Sequence, residues 1–75
     1  MEYIRAIDCD IYYQLIDNDN IRYQIIQLSK SVNQNNKGIN IILFGKNIDD
    51  STITKSFYFK SSDYIKIIHP FKTYR

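Results

Sequence analysis

Apolar and polar positions alternate along most of the chain with a period of two, and no helical stripe persists through any window. From residue 7 to 15 the odd positions read Ile7, Cys9, Ile11, Tyr13 and Leu15, against Asp8, Asp10, Tyr12 and Gln14 at the even ones, which predicts a first strand. Asp17-Asn18-Asp19-Asn20 breaks it with residues that favour turns and tolerate a left-handed backbone. A second strand is expected over 21–28, where Ile21, Tyr23 and Ile25 alternate with Arg22 and Gln24. The spacing of Ile21, Ile25 and Leu28 also fits a helix, but Tyr23 and Ile26 favour the strand.

Residues 29–38 form the longest polar stretch, with Gly38 at its end. The near-continuous apolar run Ile39 to Phe44 predicts the most buried strand. Gly45 follows it and marks a bulge or a barrel corner. After a turn at 47–51, a fourth strand is expected over Thr52 to Lys60, with Lys55 falling on the apolar side beside Ile53, Phe57 and Phe59. A lysine there snorkels at a strand end or marks a bulge. Ser61-Ser62-Asp63 reads as a turn, and Tyr64 to Ile68 as a short fifth strand closed by Pro70, which cannot join a ladder. Five short strands at roughly ten-residue intervals predict an all-β fold: a small five-stranded SH3-like barrel, forming a single domain over residues 1–75.

Composition agrees with strands, since isoleucine dominates the aliphatics and seven tyrosines and four phenylalanines supply the rings. A domain of 75 residues buries only about 60% of its unfolded surface. With one cysteine, no internal disulfide adds to that. No apolar run approaches the roughly 18 residues of a membrane span, and no signal peptide is seen, so a cytoplasmic protein without membrane attachment is expected.

Net charge is +2, unevenly spread. Glu2, Asp8, Asp10, Asp17 and Asp19 face Arg5 alone in the first twenty residues, while the remainder is basic. Two partner-facing surfaces of opposite sign follow from that split, unless the charges pair across strands.

No catalytic or metal motif stands out. Cys9 and His69 are the only soft ligands, too few for zinc. Asp17 to Asn20 has the start of a calcium loop, but Arg22 and Leu28 stand where its glycine and glutamate belong. His69 has no triad around it, and Cys9 reads as a small buried hydrophobe. The expectation is a non-enzyme with no cofactor, no metal and no small-molecule substrate.

Residues 16–65 resemble the N-terminal SH3-like (KOW-related) domain of bacterial elongation factor P and of its archaeal and eukaryotic counterpart, the hypusine-bearing translation factor. The resemblance runs through Ile21-Arg22-Tyr23-Gln24-Ile25-Ile26, the tip Asn36-Lys37-Gly38, the strand from Ile39 to Phe44, the turn Lys46-Asn47-Ile48, and Phe59-Lys60-Ser61-Ser62-Asp63. It implies a translation-related binding role, with Lys37 at the place of the tip lysine that the family extends by modification. The chain departs from the pattern where asparagines replace the tip proline and first glycine, and where Asp49-Asp50-Ser51 replaces a turn glycine. The family's OB-fold domains have no counterpart in these residues.

Two binding roles are drawn from this. In the first, the chain docks RNA, a ribonucleoprotein or a protein, with Lys30, Lys37, Lys46, Lys60 and Lys66 meeting phosphates and Tyr58 or Tyr64 stacking bases. In the alternative, it is a small inhibitor or adaptor of the phage or mobile-element type. Asp8, Asp10, Asp17 and Asp19 would then dock a host protein, imitating nucleic-acid phosphates.

Overall fold

The computed structural model describes residues 2–32, 35 and 38–69. Among them the fold is all-β, with six antiparallel strands: β1 (Glu2–Arg5), β2 (Gln14–Ile16), β3 (Arg22–Val32), β4 (Ile39–Asn47), β5 (Thr54–Lys60) and β6 (Tyr64–Ile68). They form a single sheet in the order β1-β6-β2-β3-β4-β5. Strands β2 to β5 are a meander, and β6 returns to pair with β2, the order of a small SH3-like barrel. β1 is added outside β6, and β1 and β5 are the two ends of the sheet, so the barrel curls without closing.

The strand count therefore exceeds the expected five, and the first expected strand is the one that fails. Ala6–Asp8 forms a 3₁₀ turn, and only Gln14–Ile16 of the 7–15 stretch is strand. The amides explain the difference. Cys9 N donates to the Ala6 carbonyl at 3.1 Å and Tyr13 N to the Asp10 carbonyl at 3.1 Å. Ile11 N donates to Asp10 Oδ1 at 2.7 Å. Donors spent on such local bonds are lost to a ladder. The true first strand, Glu2–Arg5, alternates Tyr3 and Arg5 outward with Ile4 packed on the core, a pattern masked by its charges.

The core gathers Ala6, Cys9, Leu15, Ile25, Ile41, Leu43, Ile65 and Ile67, with Phe57 and Phe59 of β5 packed against it. β3 and β4 run longer than the pattern suggested, and a bulge at Ile26 interrupts their register between Ile25 and Gln27. Ile26 is pushed out to 50% exposure, while Tyr23 and Ile25 stay inside. Gly45 stands opposite Ile25, next to the bulge. A Cβ there would lie 2.7 Å from the Tyr23 Cβ, so only glycine lets β3 and its ring approach this closely. The glycine read as a bulge or corner signal thus stands beside a bulge, which the partner strand β3 carries.

Backbone bonds fasten one end of the open side. Ala6 N donates to the Asp63 carbonyl at 2.7 Å and Ile7 N to the Ser61 carbonyl at 3.3 Å, tying the 3₁₀ turn to the β5–β6 connection. That connection is held by Asp63, whose Oδ2 accepts from Lys60 N at 2.8 Å. Among the described residues, no helix is long and apolar enough to cross a membrane.

Candidate macromolecule-binding surface

Strand alternation places the expected basic and aromatic residues on two separate faces. The first is the outside of β1 and β6. Tyr64 and Lys66 point away from the core there, because Ile65 and Ile67, which alternate with them, are buried. Their register partners were not foreseen: Tyr3 stands opposite Lys66, and Arg5 opposite Tyr64. Directly opposed side chains have Cβ atoms about 5 Å apart, so the four form a compact aromatic and cationic patch. Tyr3 is 67% and Tyr64 71% exposed. Arg5 makes an open ion pair with Asp8, Nε to Oδ2 at 3.8 Å. The signal for Tyr3 and Arg5 was present in the alternation of Glu2–Arg5, once that segment is read as a strand.

The second face is the outside of β4 and β5. Tyr58, 72% exposed, stands opposite Ile42, and Lys60 opposite Asn40. Lys46 lies on the same side of β4 but opposite Thr54, at the other end of the strand pair. Lys30 belongs to neither face. Its ammonium reaches back to the Ile7 carbonyl at 3.1 Å and helps hold the 3₁₀ turn. Lys37 lies outside the described residues.

The four aspartates do not share a strand. Asp8 is in the 3₁₀ turn and Asp10 in the next turn, where it caps Ile11 N. Asp19 is exposed in the β2–β3 turn. Asp17, at the start of that turn, has a side chain only 7% exposed. Its Oδ1 accepts from Asp19 N and Ile21 N, both at 2.9 Å, and Lys55 Nζ lies 3.5 Å from its Oδ2. Burial pushes this carboxyl up, but the two amides and the ammonium outweigh it and hold it below its ordinary value. Its charge is committed to the fold.

A groove of about 430 Å³ follows the open side of the barrel. Lys55, Phe57 and Phe59 of β5 line one part, Tyr3, Tyr64 and Lys66 another, and the turn from Asp17 to Asn20 contributes as well. The Phe57 and Phe59 rings are parallel within 3°, with centroids 6.4 Å apart. Chemically the groove offers apolar rings with two ammonium groups, Lys55 being paired to Asp17 and Lys66 lying toward the outer face, and with the carboxylates of Asp17 and Asp19 at its turn end.

Two residues weighed for chemistry are packed. The His69 ring lies 4.8 Å from that of Tyr13. Cys9 is buried, and desolvation pushes its thiol up to about 11, against the smaller effects of a backbone hydrogen bond at Asp10 and, less, of Lys30. Among the described residues, no three His, Cys, Asp or Glu side chains gather as metal ligands would.

No protein-family model matches the chain, and no curated protein matches it. A solved structure does: the eukaryotic translation initiation factor 5A from Methanococcus jannaschii, with a TM-score of 0.73 and 14% identity over 85% of this chain. The chain folds like part of a translation factor. It spans about half of that factor, 47% of its length. At this identity the likeness is one of fold. It agrees with the archaeal and eukaryotic side of the resemblance read from the sequence, while the bacterial side rests on the sequence alone.

Proposed function

We propose that the chain is a non-enzymatic binding module that docks RNA or a ribonucleoprotein through exposed tyrosines and neighbouring cations. The observation that carries this reading is the pairing of Tyr58 with Lys60 and of Tyr64 with Lys66 on outward faces, with both tyrosines more than 70% exposed. Each of these tyrosines holds a flat ring in solvent with a lysine two residues along its strand. Rings supply stacking surface and ammonium groups neutralise phosphates, the two components of single-strand recognition. The likeness to a protein described as a translation initiation factor supports the same reading by analogy of fold.

The mechanism is occupancy, without bond making. Fluorescence anisotropy with a labelled RNA, repeated from low to high salt, tests it. Affinity should fall linearly on a log–log plot, each phosphate contact adding about 0.7 to the slope for a single strand. Binding that is absent, or unchanged between the salt extremes, rejects the proposal.

A further inference from the structure

We infer that the outer face of β1 and β6, with the adjoining groove, is a platform for an unpaired nucleic-acid strand, Tyr3 and Tyr64 stacking two bases while Arg5 and Lys66 meet the phosphates. The inference rests on the RNA-binding reading and adds to it a location, a strand state and two residues outside the set read from the sequence.

Three observations lead here. The register is alternate in both directions: Tyr3 is opposite Lys66 and Arg5 opposite Tyr64, so each ring has a cation across the ladder and another two residues along its strand. That spacing suits a strand in which base and phosphate alternate. The rings are also available, at 67% and 71% exposure. Finally, Tyr3, Tyr64 and Lys66 line the groove as well, whose other wall carries Phe57 and Phe59. The rings of the groove thus adjoin those of the outer face.

Duplexes are excluded by the same geometry. Stacking on a tyrosine needs a base with a free face, which a paired helix withholds, and sheet surfaces that read RNA do so on splayed single strands. The Tyr58 and Lys60 face lacks the arrangement, since its rows place Ile42 and Asn40 opposite those residues. Asp17 and Asp19 stand at the turn end of the groove, and on the outer face the local opponent of phosphate is Asp8. Its pair with Arg5 is long and more than half exposed, the kind of contact an incoming phosphate displaces.

The test is anisotropy with a fluorescent twelve-nucleotide oligouridine, the matching oligodeoxythymidine, and an RNA duplex of equal length. Wild type, Y3A/Y64A, Y3F/Y64F and Y12A are compared, each checked by thermal melting. The inference expects single strands to bind tighter than duplex. It also expects Y3A/Y64A to lose on the order of tenfold or more per ring, and Y3F/Y64F, which keeps both rings, and Y12A, whose exposed ring lies outside the platform and the groove, to stay within about twofold of wild type. Equal binding of the two single strands assigns recognition to base and phosphate, and tighter RNA adds the sugar hydroxyl; either agrees with the inference. Wild-type binding that Y3A/Y64A leaves intact, or a preference for duplex, overturns this inference and leaves the RNA-binding reading standing. Absence of any binding by the wild type overturns both.

Discussion

Asp17 and Lys55 lie 38 residues apart in the chain and meet across the mouth of the barrel, with Lys55 Nζ 3.5 Å from Asp17 Oδ2. The lysine stem runs along the core side of β5, and its ammonium sits 5.2 Å from the Phe57 ring centroid and 5.8 Å from that of Tyr23. The two partners contribute unequally. Asp17 also holds the Asp19 and Ile21 amides, whereas the Lys55 side chain is 48% exposed. Replacing Asp17 by alanine should lower the unfolding free energy by about 2 kcal/mol, since two amides lose an ionised acceptor. Lys55→Met keeps the stem and should cost less than about 1 kcal/mol. Urea titration of both variants checks the ranking, and equal losses would contradict it.

The same carboxylate gives the fold a dependence on acid. Its folded pKa lies below the ordinary 3.8, so folding favours the ionised form. The resulting stability is complete above the unfolded value and is lost as pH falls through the folded one. Between pH 5 and pH 2 the melting temperature of Asp17→Asn should therefore fall less steeply than that of wild type. Parallel curves would mean the carboxylate is not held as described.

Gly45→Ala should destabilise the fold by about 1–3 kcal/mol through overpacking. The close neighbour is the Tyr23 Cβ at 2.7 Å, an atom that alanine also carries. The cost should therefore persist in a Tyr23→Ala background and disappear only with Tyr23→Gly. Thermal melts of this cycle test the contact atom by atom.

Cys9 should resist alkylation. With its thiol near 11 and its side chain in the core, about one thiol in a thousand is ionised at pH 8, and none of it is at the surface. Iodoacetamide labelling followed by mass spectrometry should be slow in buffer and fast in denaturing urea. Rapid labelling of the folded protein would contradict the burial. Because the folded value is raised from 9.0 to about 11, the preference for the folded state holds below pH 9 and declines over that interval.

The sequence made some features legible and concealed others for physical reasons. Tyr64 to Ile68 was read with its true limits, because Asp63 and Pro70 punctuate both sides of a clean alternation. Lys55 on the apolar side was legible as an anomaly, but its partner was not, since Asp17 reaches it only through the curl of the sheet. The stretch 7–15 misled because its apolar residues serve the core from a turn, where the period of two arises without a ladder. Ile26 was placed in the alternation, and the bulge that expels it leaves no mark in a run of consecutive isoleucines. Among the residues proposed to bind, the alternation along β6 is readable. The alternation of Glu2–Arg5 puts Tyr3 and Arg5 outward, but their meeting with Tyr64 and Lys66 depends on the pairing of β1 with β6, which no local pattern contains.

That pairing joins residues 2–5 to 64–67, the first and last strands among the described residues. A chain emerging from the ribosome can build the β2–β5 meander while synthesis continues, but it must hold Tyr3 and Arg5 idle until β6 has been made. Long-range closure of this kind comes late and slowly, because its entropy is lost before its contacts form. The tyrosine platform is thus completed by the final docking event, and a truncated or half-folded chain would carry the meander without it.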